Sequence, residues 1–340
     1  APPRESFTDD EDEPSDAPTP QVEESDPDPD VPDTDTPPDN SPEPADADAD
    51  AGAEAPPLAP PPTDPTDVDE SEPPSPFDAV TSELITFVEE NRGHRFVERP
   101  DVVALDDASV TRAFTELVAE DVERYRTDYE NYTDIYRAMG VIPDGTSLEE
   151  IWTSFGDAGA IGFYDDESGD VVLRGDEVNA LTRTTLVHEL VHALDDQIHD
   201  IERPEYDERD DEIGWTFSAL LEGSAGVIEN RYRATMTPSE RDEEISVSIN
   251  LPRSVSLSSF TNSFLDLQFG RYTFGEAFVG ELWAHGQNAV DAAFADPPTT
   301  SEQVIDPSQY GAPAEPRLDP PPADGAVFES GVWGQAGWAA

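Results

Sequence analysis

The sequence predicts an α+β domain in which helices dominate, with a small β-hairpin ahead of a histidine-bearing helix and a long disordered segment on the N-terminal side. Three observations lead there. Composition changes abruptly at Pro76, apolar positions recur at helical spacing through most of the chain beyond it, and two short β-prone runs flank a polar linker containing a glycine.

Residues 1–76 hold 25 of the chain's 78 acidic residues, 21 of its 34 prolines and one basic residue, Arg4. Such a segment buries too little apolar surface to offset the entropy of ordering it, and like charges keep it swollen, so a disordered acidic spacer is expected. Residues 77–340 form the candidate folded domain. They are acidic as well, since 53 of the carboxylates remain against 17 of the 18 basic residues, all of them arginine. A surface of this kind repels itself at ordinary ionic strength, whereas molar salt shortens the Debye length to about 3 Å and screens the repulsion. The composition predicts a halophilic protein. It speaks against nucleic acid as a partner, because phosphate binding takes clustered lysine and arginine.

No run of eighteen apolar residues offers a membrane span. The chain starts without an initiator methionine and runs at once into the acidic stalk. That arrangement is expected downstream of a removed signal or an N-terminal envelope anchor, and predicts an extracellular or cell-surface location. The apolar end Trp338-Ala339-Ala340 has no cap or polar tail and predicts a chain that continues. With no cysteine, disulfides and sulfur-ligated metal are excluded, and any metal falls to histidine and carboxylate.

Phe77, Val80, Leu84, Ile85 and Val88 share one helical face, with Gly93 as the stop, and a short extended piece comes next, near Phe96 to Leu105. Apolar residues from Val110 to Tyr136 then predict one long helix or two in series over 107–139. Ile161 to Tyr164 and Val171 to Leu173, joined through Gly169, predict a hairpin, and either strand is a candidate open edge for an extended peptide. Further helices are expected near 177–199, 211–236, 258–267 and 274–294, closed by Pro297-Pro298, with turns and short extended pieces beyond.

The helix over 177–199 contains His188-Glu189-Leu190-Val191-His192, an H-E-x-x-H motif with uncharged flanks. At 100° per residue, Val187, Leu190, Val191, Leu194 and Ile198 form an apolar stripe, while His188 and His192 stand about 40° apart on a neighbouring face, one turn from each other. Both imidazoles can reach one ion. Glu189 lies about 100° further round, out of ligand position but able to bond a water beside the metal, the place of a general base. The bland alternative is two histidines on a solvated face; yet two of only five histidines fall in the motif.

A catalytic zinc takes three protein ligands and an open position. His199 is two turns, about 10 Å, beyond His192 along an unbroken helix and cannot share its ion. Asp195 is on the same face, but its short side chain points past the metal, leaving a supporting role or simple solvation. Glu222 is a lone acid among apolar and small residues. A buried carboxylate there is either a metal ligand, with Gly223, Ser224 and Ala225 letting its helix approach the motif helix, or one half of an ion pair with arginine.

H-E-x-x-H with a glutamate on a later helix resembles the gluzincin branch of the zincin-like metallopeptidases. The segments 162–165, 188–197, 222–225, 272–279 and 297–303 are similar to a largely uncharacterised family of exported bacterial and archaeal metallopeptidase-like proteins. The resemblance covers about Phe77 to the end. It implies a zincin-like fold, Zn2+ held by His188, His192 and Glu222, and Glu189 as the base. Asp195 stands where the family pattern has glutamine, and Asp306 where it has histidine.

The expected activity is hydrolysis of peptide bonds by a metal-bound water activated by Glu189, with one further donor to the oxyanion. Tyr272 is the candidate chosen for that donor over His285, Tyr232 and Arg231. The competing expectation is a non-catalytic zinc-binding surface protein tethered by its acidic stalk, which would hold metal without turnover.

Overall fold

Pro76 opens α1 (Pro76–Arg92) at the first helical position, where proline's missing N–H costs nothing. In the computed structural model the described residues are 76–159, 161–203, 206, 211–250, 260–312, 325 and 331–339, all within the unit Asp69–Ala340. The acidic spacer expected over 1–76 lies outside them apart from Pro76. So do the extended pieces expected between 312 and 331, apart from residue 325.

Strand β1 (Val102–Leu105) is shorter than the extended piece expected from Phe96. Val97 and Glu98 instead donate their backbone N–H groups to Gln197 Oε1. The stretch 107–139 is a pair of helices, α2 (Asp107–Arg124) and α3 (Arg126–Met139). Asp106 caps the first through Ser109 N, Tyr125 breaks the run at φ −119°, and Gly140 ends the second at φ 77°. Helix α4 (Leu148–Gly159) forms where none was expected. Ser147 and Glu150 exchange side chain-to-backbone bonds at its start, an S-x-x-E capping box the sequence carries plainly.

The hairpin is present as β2 (Gly162–Asp165) and β3 (Asp170–Arg174), antiparallel, with Gly169 at φ 77° in the turn. Strand β1 joins it parallel to β3, Val102 facing Val171, giving the order β1-β3-β2. Val171 to Leu173 is therefore the central strand and not an open edge. That place follows from burial: Val171 and Leu173 are wholly covered.

Helix α5 (Ala180–His199) carries the H-E-x-x-H motif and starts three residues later than expected. Asn179 is its cap, sharing reciprocal bonds with Thr182. Then come α6 (Asp211–Thr235), α7 (Pro238–Asn250), α8 (Asn262–Ala284), α9 (Gln287–Ala295), α10 (Ser301–Ile305), a 3-10 turn at Pro307–Gln309 and α11 (Gln335–Ala339). Two expectations are corrected here. The helices placed at 258–267 and 274–294 are redivided, because the chain is continuous through 268–273 and breaks instead at Gly286, whose φ is 99°. Helix α7 was missed, although Thr237 and Glu240 form another capping box ahead of a first-turn proline.

The fold is thus mostly helical, with one three-stranded sheet. Leu186, Val187, Leu190, Val191 and Leu194 of α5 pack with Leu84 and Val88 of α1, Val171 and Leu173 of β3, and Ala225 and Ile228 of α6. A second cluster joins Phe217 and Leu220 of α6 to Phe278 and Val279 of α8 and Phe294 of α9. Helix α6 belongs to both, so it fixes α5 relative to α8.

Candidate metal centre

The apolar stripe of α5 faces the first of these clusters, which leaves His188 and His192 on the side turned toward α6. There Glu222 meets them: its Oε2 lies 3.1 Å from His188 Nε2 and 3.6 Å from His192 Nε2, and the imidazole centroids are 4.8 Å apart. One ligand atom from each of the three residues falls within 4.8 Å of the others. A tetrahedral ion with bonds of about 2.0–2.1 Å holds its donors roughly 3.3 Å apart, so this set of two imidazoles and a carboxylate fits a metal ion. The three side chains are 13, 14 and 15% exposed, mostly buried without being sealed from solvent.

What brings Glu222 there is a buried network one turn further on. Ser224 Oγ donates to Asp195 Oδ2 at 2.6 Å, and Arg92 Nε donates to Asp195 Oδ1 at 2.7 Å. Arg92 is fully buried and also donates to Asp291. Asp195 is therefore buried in ion pairing and not solvated; with Ser224 it ties α5 to α6, Asp195 standing three residues after His192 and Ser224 two after Glu222. The expected role of Gly223 is corrected. A side chain there would collide with the backbone of Gly275, so Gly223 serves contact with α8, while Ser224 and Ala225 face α5. Glu222 pairs with histidines and with no arginine among the described residues.

His188 Nδ1 lies 3.3 Å from Glu229 Oε2, whose other oxygen accepts from Arg233 at 2.6 Å. That carboxylate orients the imidazole so that Nε2 faces Glu222. Burial disfavours the charged imidazole, but its bonds to Glu222 and Glu229 outweigh this and hold the His188 pKa well above the ordinary value. For Glu222 burial acts upward and is overridden by the two histidines, leaving its carboxyl well below the usual range. A cation would take over the position that the imidazolium proton holds between them. Glu189 is 8% exposed and bonds to none of these groups; burial raises its pKa, with the two imidazoles opposing.

Tyr272 of α8 also reaches the cluster. Its ring stacks on His188 at 6.2 Å and 28°, and the residue is 41% exposed. Desolvation, then the Glu222 charge, push the phenol above its ordinary pKa. The other candidate donors are engaged elsewhere. Tyr232 OH accepts from Arg183, Arg231 donates to Asn91 O and lies over Trp283, and His285 bonds to Glu281 O on an exposed helix end. His199, expected to be out of reach of the ion, stacks on Phe294 and meets Arg92 and Asp291. Asp306 caps the 3-10 turn through Ser308. Glu229 went unnoticed in the sequence, although it stands seven residues after Glu222, two helical turns along the same face.

No family model, curated protein or solved structure matches the chain, so the functional reading rests on residues and their geometry.

Proposed function

We propose that the chain is a zinc metallopeptidase with a zincin-like catalytic domain, its zinc held by His188, His192 and Glu222 and its base supplied by Glu189. The observation that carries this reading is the meeting of three donor atoms from two helices, with a fourth group, Glu189, buried beside them and ligating nothing. A structural zinc closes its shell with four protein ligands and has no use for such a carboxylate, whereas a catalytic one keeps a position free.

Zinc bound there supplies Lewis acidity, polarising a peptide carbonyl and acidifying water. Glu189 takes the proton of the attacking water and delivers it to the leaving amine nitrogen. The Tyr272 hydroxyl, beside Glu222, donates to the developing oxyanion. Strand β2 supports the reading from outside. Among the described residues it pairs with β3 alone, and it lies along the face of α5 that bears Glu189 and His192: Thr185 packs 3.0 Å from where a Gly162 side chain would begin, and Tyr164 OH donates to Asp196 at 2.7 Å. An extended peptide adding to that edge would pass over the metal ligands. The acidic stalk suits a spacer outside the cell in brine; no described helix is long and apolar enough to cross a membrane.

Zinc content and hydrolysis of an unfolded protein substrate in molar salt, for the unaltered chain and for Glu189→Gln, test the reading. We expect stoichiometric zinc in both and a rate at least ~100-fold lower in the variant. Equal rates would sink the mechanism. Zinc without hydrolysis of any peptide would favour the tethered, non-catalytic surface protein.

A further inference from the structure

Helices α6 and α8 run side by side in the same direction, their contacts rising together from Trp215 with Leu267, through Ser218 with Arg271, to Gly226 with Glu276. The bond between Ser218 and Arg271 thus lies about one turn before Glu222 and one residue before Tyr272. At that level the helices open into a cavity of about 400 Å3, a volume in the range of ligand sites. Tyr132 and Tyr136 of α3, Trp152 of α4 and Trp215 of α6 line it, so one wall comes from helices that supply nothing to the metal cluster.

One lining residue is charged. Arg271 donates from Nη1 to Ser218 Oγ at 3.1 Å and from Nη2 to Gln268 Oε1, both neutral acceptors. No described carboxylate pairs with it, in a chain where acids outnumber arginines by 78 to 18. A half-buried guanidinium left to neutral partners in so acidic a protein is placed to receive an anion from outside, and its planar fork matches a carboxylate. Aromatic walls give the same cavity a preference for a flat or bulky apolar side chain.

We propose that this cavity, lined by none of the candidate ligands but reaching Leu221 beside Glu222 in the chain, is a substrate subsite: it takes a bulky apolar or aromatic side chain of a peptide, and Arg271 takes a carboxylate of the same peptide. The carboxylate is either the free C-terminus or an acidic side chain close to the aromatic one. The inference rests on the peptidase reading for its substrate class, but its test reads binding, independently of turnover.

The probe is a set of short peptides titrated into zinc-loaded Glu189→Gln protein at one fixed salt concentration, followed by the fluorescence of Trp152 and Trp215. The peptides carry phenylalanine or alanine at one position, and end in a carboxylate, a carboxamide, or a carboxamide with a neighbouring glutamate. We expect the phenylalanine peptide with a carboxylate to bind at least about tenfold more tightly than its alanine and carboxamide counterparts, and the glutamate peptide to say which carboxylate serves. Arg271→Gln should erase the preference for the acid while keeping that for phenylalanine, and Arg271→Lys should retain much of both. Equal binding of acid and amide by the parent, or an acid preference that survives Arg271→Gln, overturns the subsite, as does a failure of every peptide to bind. Binding as expected with no cleavage by the protein that retains Glu189 overturns the peptidase reading and leaves the subsite standing.

Discussion

Glu229 touches His188 on the nitrogen that faces away from Glu222, and its second oxygen is held by Arg233. Glu229→Gln keeps the shape and removes the charge that supports the imidazole, so zinc affinity should fall by about 10–100-fold by competition with a chelator, with the fold retained. Glu222→Ala removes a ligand outright and should abolish stoichiometric zinc in the same assay. Arg92 makes a different prediction, about stability. It is fully buried against Asp195, and Arg92→Ala would leave that carboxylate uncompensated, at a cost of ~3–5 kcal/mol in denaturant unfolding. Of these residues, His188, Glu189, His192 and Glu222 are legible in the sequence because the motif spacing and a lone acid among small residues announce them. Asp195 is legible only as a candidate for a supporting role, and its partners Arg92 and Ser224 are not, since that network depends on three helices that sequence order keeps far apart.

Helices α6 and α8 set the distance between Glu222 and Tyr272, and glycine lets them approach. A side chain at Gly275 would run into the Ala219 carbonyl, and one at Gly223 into the Gly275 carbonyl. Gly275→Ala should therefore cost ~3 kcal/mol, read as a lowered denaturation midpoint, and should weaken zinc binding as α8 is pushed away. Gly270 and Gly275 lie inside α8 without ending it. Gly270 faces Trp215 and Gly275 faces Ala219, so both stay helical as points of close approach, and the chain stops where Gly286 takes a positive φ. The helices α4 and α7 differ in how the sequence carries them: both have capping boxes, but α4 also shows an apolar period at Leu148, Ile151 and Trp152 and was legible, whereas the face of α7 is too polar to show one.

For the molecule as a whole, the excess of carboxylate over arginine predicts a stability that depends on salt. The thermal midpoint should rise by about 10 °C or more between ~0.2 M and ~3 M KCl, and a midpoint indifferent to salt would remove the case for a halophilic protein. By itself the sequence determined the helical character, the hairpin, the helix bearing His188 and His192, and the choice of histidine and carboxylate over sulfur for any metal, because these follow from local periodicity, spacing and composition. Only the tertiary structure decided that β3 lies at the centre of its sheet, that Asp195 joins Arg92 and Ser224, that Glu229 meets His188, and that Arg271 lines a cavity with Trp152 and Trp215. Each of those depends on which surfaces meet when α1, α5, α6 and α8 bury their apolar faces together, and no local pattern encodes a meeting between segments a hundred residues apart.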